Sequence, residues 1–196
     1  VTARHSESLL PAIDLALRSA GLAPKELAGI VVGGGPGSFT GVRVAGATAK
    51  GLLRVLEIPF FAYSGLLALA AGAGAAGEPV CALFDARREE VYAACYRFPA
   101  EGGIETILEP TVQPLRAVLG ELESLSPVYA GDGALRYRDV IEAAGGRIAP
   151  AFLAVPRASA LLWLADLDPE GGRVADPTAW EPEYLRAAGA ERGVVG

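Results

Sequence analysis

Histidine occurs once in these 196 residues, at His5, cysteine twice, at Cys81 and Cys95, and methionine not at all. A single histidine removes most histidine-dependent catalysis and most transition-metal sites. Two cysteines cannot build a disulfide framework or a zinc knuckle. Cations are also scarce, 17 Lys and Arg against 23 Asp and Glu for a net charge of −6. Gripping a phosphate backbone needs clustered Lys and Arg, so this balance argues against a chain that binds nucleic acid by itself. Two free thiols and the lack of a signal-peptide pattern point to the cytoplasm. Residues 58–77 carry no charge and are long enough to span a bilayer on paper. They contain Pro59 and four glycines and have no Lys/Arg bias at their flanks, so a buried strand and a buried helix are expected instead.

What is present is an apolar content of 52% with 25 glycines, enough for a sizeable core in one large or two small domains. Residues 5–20 read as a helix stopped by Gly21 and Pro24, with Pro11 disturbing its early turns. The apolar run Ala28–Gly33 reads as a strand, Thr40–Leu56 as a helix and Pro59–Tyr63 as a strand parallel to the first, which together make a βαβ unit. A helix over Ser64–Ala71 follows. Pro79–Asp85 and Glu90–Phe98, joined by the polar turn Ala86–Glu89, suggest an antiparallel hairpin, and Ile104–Glu109 a further strand. Then come a helix (Pro114–Glu123), a strand (Pro127–Ala130), the turn Gly131–Gly133, helices over Leu135–Ala144 and Ala158–Leu167, and a tail from Pro182 to Arg186 without periodicity. The Ala/Gly stretch 71–77 is the expected boundary between domains 1–77 and 78–196.

The segment GGGPGSFTGVRVAGATAKGL (33–52) invites a nucleotide-binding reading, yet each standard pattern fails. Lys50 is followed by Gly51 rather than Ser or Thr, Gly35-Pro36-Gly37 leads into Ser38-Phe39-Thr40 rather than toward a third glycine, and Pro36 stands where GxSxG needs glycine. A glycine turn entering a helix remains, with Ser38 or Thr40 as N-cap. Its residues Gly35, Gly37, Ser38, Thr40 and Gly41 are either an anion-holding nest or a tight structural turn. Asp132 in Gly131-Asp132-Gly133 fits a turn and helix cap, Asp85 and Glu89–Glu90 a solvated hairpin tip, and His5 a helix start. No nucleophile, base and orienting acid come together.

The first two helices have unusually narrow charged faces. At ~100° per residue, Glu7, Asp14 and Arg18 fall within about 40° of one another, and Arg43, Lys50 and Arg54 repeat the spacing. The remaining arcs are apolar or small: Leu9, Ala12, Ile13, Ala16 and Ala20 on one helix, and Val42, Ala45, Ala49, Leu52 and Leu56 on the other. A helix lying on a sheet needs a narrower apolar arc than this. Either more of the chain covers these residues or a partner does.

Four stretches carry a family resemblance: RHSESLLPAID (4–14), GGGPGSFTGVRVAGATAKGL, DARREEVYAA (85–94) and PEYLR (182–186). Together they closely resemble the TsaB (YeaZ) family of the bacterial machinery that makes threonylcarbamoyladenosine in tRNA. The resemblance implies an α/β fold of the actin-like, sugar-kinase-like (ASKHA) type, built from two related domains. It implies a non-catalytic dimerisation subunit without cofactor or metal, which pairs with a TsaD-like catalytic subunit through the first two helices and supports a TsaE-like ATPase. It also implies self-association through the same helices, only indirect contact with tRNA, and no membrane. TsaD-like proteins carry a metal-binding HxxxH after the second strand, and here Gly65 and Leu69 fall at the histidine positions. Family members usually start with a strand and hairpin before the first helix, so with no initiating methionine the chain is expected to lack its N-terminal hairpin. The rival readings are a small-molecule kinase holding ATP on the glycine turn and a stand-alone tRNA-binding module.

Overall fold

The computed structural model describes residues 5–185. The expectations for the His5 and Glu7 side chains, Arg186 and residues 187–196 lie outside the described part.

Helix α1 spans His5–Ala20 and continues through Pro11. Strand β1 (Ile30–Gly33), helix α2 (Phe39–Leu56) and strand β2 (Phe60–Tyr63) form the expected βαβ unit, with β1 and β2 parallel and Ile30 opposite Phe60. Helix α3 (Gly65–Ala71) starts at Ser64, whose hydroxyl accepts from the Leu66 N–H. Residues 58–77 therefore fold as strand and helix, and no described helix is long and apolar enough to cross a membrane.

The second sheet has five strands in the order β5-β4-β3-β6-β7. Strands β3 (Val80–Asp85) and β4 (Glu90–Arg97) form the antiparallel hairpin, and β5 (Glu105–Pro114) lies outside β4. This outer strand runs further than Glu109. Pro110 is tolerated because β5 is an edge strand whose register with β4 shifts there. Helix α4 (Leu115–Leu122) leads to β6 (Val128–Ala130), parallel to β3. The helix expected over Leu135–Ala144 is two, α5 (Asp132–Arg136) and α6 (Arg138–Ala143), broken at Tyr137. The short strand β7 (Arg147–Ile148) has too few residues to show a period. Helices α7 (Ala158–Leu167) and α8 (Pro169–Gly172) complete the elements.

Alternation along the strands sorts the core into layers. Val80 and Ala82 of β3 face a cluster with α3, α7 and Tyr63, while Cys81 and Leu83 face one with Val118 of α4 and Ile141 of α6. Helices α3 and α7 thus lie between the two sheets. A third cluster, Val32, Ala49, Leu53 and Phe60, sits beneath α2. Burial pushes the Cys81 thiol well up and that of Cys95 to about 11, so both behave as packing groups at neutral pH. Residues 173–185 then return to the first sheet. The Val174 N–H donates to the Phe60 carbonyl at 2.9 Å, and Trp180 meets the Phe60 ring edge-on at 5.2 Å.

Candidate functional site

The glycine loop after β1 is held by the rest of the chain. The Gly34 N–H donates to the Tyr63 carbonyl at 2.7 Å. Its own carbonyl accepts from the Glu183 N–H at 2.8 Å, and the Gly35 carbonyl accepts from the Gly65 N–H at 2.8 Å. Gly35 has φ +103°, and a Cβ there would stand 2.5 Å from the Glu183 carbonyl oxygen, so the sequence needs glycine at this position. Ser38 is the N-cap of α2, accepting from the Gly41 N–H at 3.3 Å, while Thr40 lies inside the helix. Gly34 and Gly35 serve a close backbone crossing with the returning tail, and Ser38 caps α2.

Beside this loop is a cleft of about 730 Å³ between the two sheets. Gly35, Gly37, Ser38 and Gly41 line one side, and Phe84, Asp85, Tyr92 and Asp132 the other. Asp85 and Asp132 bring two carboxylates to the wall, and among the described residues no Lys or Arg lines it. Both carboxylates have structural partners. Asp132 accepts from the Asp85 N–H at 3.2 Å. Asp85 accepts from the Arg87 N–H at 3.0 Å and the Tyr137 hydroxyl at 3.3 Å, and Arg136 stands 3.4 Å from it. Asp132 is therefore the first residue of α5 and a brace for the DARREE turn. In that turn Arg87, Arg88 and Glu89 all take left-handed backbone angles, with φ of 64°, 55° and 63°, which no composition cue signalled. Such a wall suits a polyphosphate poorly unless a cation screens the two carboxylates.

The helical surface differs in part from its expected form. On α1, Ala12, Ala16 and Ala20 are exposed and Leu9 and Ile13 half-buried. Leu10 and Leu15 stand out into solvent, at 52% and 62% exposure. On α2 the named arc turns inward. Ala49 is a core residue at 3% exposure and drops out of any partner surface, because the strand pair β1–β2 lies beneath it. Val42, Ala45, Leu52 and Leu56 are half-buried, and Val42 and Ala45 line the cleft. The outward arc holds Ala47, Gly51 and Val55, the last 81% exposed. Nor is the charged stripe of α2 simply solvated: Lys50 donates to the Thr178 carbonyl at 3.1 Å and pairs with Glu181, and Arg43 donates to the Tyr184 hydroxyl at 3.0 Å.

Known proteins match this architecture. The family model described as TsaD, tRNA N6-adenosine threonylcarbamoyltransferase, matches residues 1–159. The tRNA threonylcarbamoyladenosine biosynthesis protein TsaB of Bacillus subtilis is 35% identical over 95% of this chain and 82% of its own length. That of Escherichia coli is 32% identical over 93% of this chain and 80% of its own. The chain belongs to the TsaB family. YeaZ from Pseudomonas aeruginosa superposes with a TM-score of 0.77 at 31% identity, covering 94% of this chain and 86% of that one. The actin-like, sugar-kinase-like fold expected from the sequence is therefore the fold observed. Gly65 and Leu69, the positions expected from the sequence to match the metal-binding histidines of TsaD-like proteins, are a close-packed glycine and a core leucine. A Cβ on Gly65 would stand 2.6 Å from the Pro36 carbonyl oxygen, and Leu69 is 1% exposed.

Proposed function

We propose that this chain is a non-catalytic subunit of tRNA threonylcarbamoyladenosine biosynthesis that pairs with a TsaD-type catalytic subunit through the outward faces of α1 and α2. The observation that carries the reading is the exposure of Leu10, Leu15 and Val55 on two helices whose relatives belong to that biosynthesis. Large exposed aliphatic side chains on adjacent elements are a common mark of a protein-binding surface. The absence of a catalytic role is supported by Gly65 and Leu69, since neither can hold a metal and the first has no room for a longer side chain. A TsaE-type ATPase then joins the assembly, tRNA is met through the partner, and the same helices account for a homodimer when the partner is missing. The setting is the cytoplasm.

Co-purification with TsaD- and TsaE-type proteins, followed by a tRNA modification assay with and without this chain, tests the reading. Leu15→Arg and Val55→Arg are expected to abolish co-purification and modification together while leaving the fold intact. Ala16→Arg is expected to weaken them, whereas Ala45→Arg would also disturb the cleft. Wild-type pairing in the Leu15 and Val55 variants would refute the proposed face. Micromolar binding of ATP with magnesium by the isolated chain would favour an enzyme of the same fold instead.

A further inference from the structure

On the flank of α2 that faces the returning tail there is a second groove, of about 790 Å³, separate from the cleft and from the outward arc of the helices. Its floor is apolar: Leu53 is buried, and Ile58, Pro59 and Val174 are half-buried. Its rim carries Lys50, Arg54 and Arg173 with the carboxylate of Glu57, and Asp176 and Glu181 lie beside Lys50. With Lys50 offset by these carboxylates, Arg54 and Arg173 are the two cations the groove presents, in a chain of net charge −6. Lys50 is already engaged by Thr178 and Glu181, but among the described residues Arg54 and Arg173 have no ion-pair partner. The Arg173 guanidinium lies over the Phe61 ring at 5.9 Å, which holds it at the rim.

The tail shows which chemistry this surface accepts. Within 173–181 a backbone N–H bonds to β2, the indole of Trp180 packs on Phe60, and the next residue, Glu181, places its carboxylate 3.5 Å from Lys50. An aromatic anchor followed by an acid thus already occupies the adjoining stretch of the same helix flank. We propose that the groove beside it docks an acidic peptide segment of a partner protein, with an apolar or aromatic side chain on the floor and its carboxylates on Arg54 and Arg173. The inference does not depend on how α1 and α2 pair with another subunit. A nucleic acid fits less well. The one floor aromatic, Phe60, is 1% exposed with Trp180 against it, which leaves no ring face for a base, and an apolar floor adds nothing to phosphate binding.

The test is a display selection of random short peptides on the full chain, followed by fluorescence anisotropy with the enriched sequences. Selection of Asp/Glu-flanked aromatic or aliphatic residues is expected. Affinity should weaken with salt and fall about tenfold in the Arg54→Glu/Arg173→Glu double variant. Both side chains are exposed, and circular dichroism should show an unchanged fold. The single variant Arg54→Ser, on an exposed helix position, gives the same direction with a smaller change should the double variant fold poorly. The proposal is overturned if selection enriches no acidic motif, if the enriched peptides bind both variants as well as wild type, or if bulk tRNA displaces them and binds more tightly.

Discussion

Strands β1 and β3 are both short apolar runs, each lies beside a parallel neighbour, and each is followed by a turn next to the same cleft. Their surroundings differ. Val80, Cys81, Ala82 and Leu83 of β3 have no solvent exposure, being covered by α3 and α7 on one face and by α4 and α6 on the other. In β1 only Val32 is buried, and the helix α1 on that side of the molecule leaves two leucines in solvent. One sheet is closed by its own chain. The other is bordered by the tail at 173–185, which meets β2 at Phe60 and Phe61, and the helix beside it keeps apolar side chains in solvent. Burial in the second sheet thus serves stability, while the exposed residues of the first layer are available for association.

The largest expected effect breaks the closed half. Leu83→Ala removes a fully buried side chain from the central strand and should cost about 2–5 kcal/mol of stability, read by denaturant unfolding. A loss as small as that of a surface substitution would mean that the two halves do not differ in the way described. Trp180→Ala should cost less, about 2 kcal/mol, because the indole is half-buried although it meets both Phe60 and Gly46. Its signature is local: limited proteolysis should cut 173–185 faster while the β3–β4 hairpin stays protected. Leu15→Ala should change stability by no more than about 0.5 kcal/mol, since the side chain is 62% exposed, yet weaken pairing with a TsaD-type subunit. Equal loss of stability and pairing would make Leu15 a packing residue.

Much of this organisation is legible in the sequence, and the reason is physical. The βαβ unit, the hairpin and the central strand are written as apolar runs of the right length between glycines and prolines, and those are local signals. The strands of β5 and β7 and the break at Tyr137 are less legible, because edge pairing and two-residue strands leave no periodicity. On the helices, spacing reveals that the apolar arc is too wide but not which part of it the sheet covers. Ala49 and Val55 have the same kind of side chain in the same helix, and only the position of β1–β2 makes one core and the other surface. The tail is the clearest omission. Its pieces come from residues far apart in sequence, Lys50 with Glu181 and Gly34 with Glu183, and no window of the chain contains both. Asp176-Pro177-Thr178 is a local signal within it, an Asx turn in the returning strap of residues 173–185.

That turn gives the smallest effect and the sharpest check on how the tail is held against the first sheet. Hydrogen bonds from the Thr178 hydroxyl and N–H, and from the Ala179 N–H, together with the nearby charge of Lys50, hold the Asp176 carboxyl below its ordinary value of 3.8. A carboxyl that is more acidic folded than unfolded binds its proton less readily in the native state. Its contribution is fully present above the unfolded value and disappears as pH falls through the lower folded one. Asp176 is exposed to solvent, so the effect falls on the strap rather than on global unfolding. Trp180 reports it, because its indole leaves Phe60 when the strap loosens. On acid titration from neutral pH, the wild-type Trp180 emission should change at pH values below about 4, before the cooperative loss of the second sheet. In Asp176→Ala the loosened emission should be present at neutral pH and that early change absent. Identical titrations for the two proteins would show that the strap is held by Trp180 and Glu183 alone, and that the turn merely follows them.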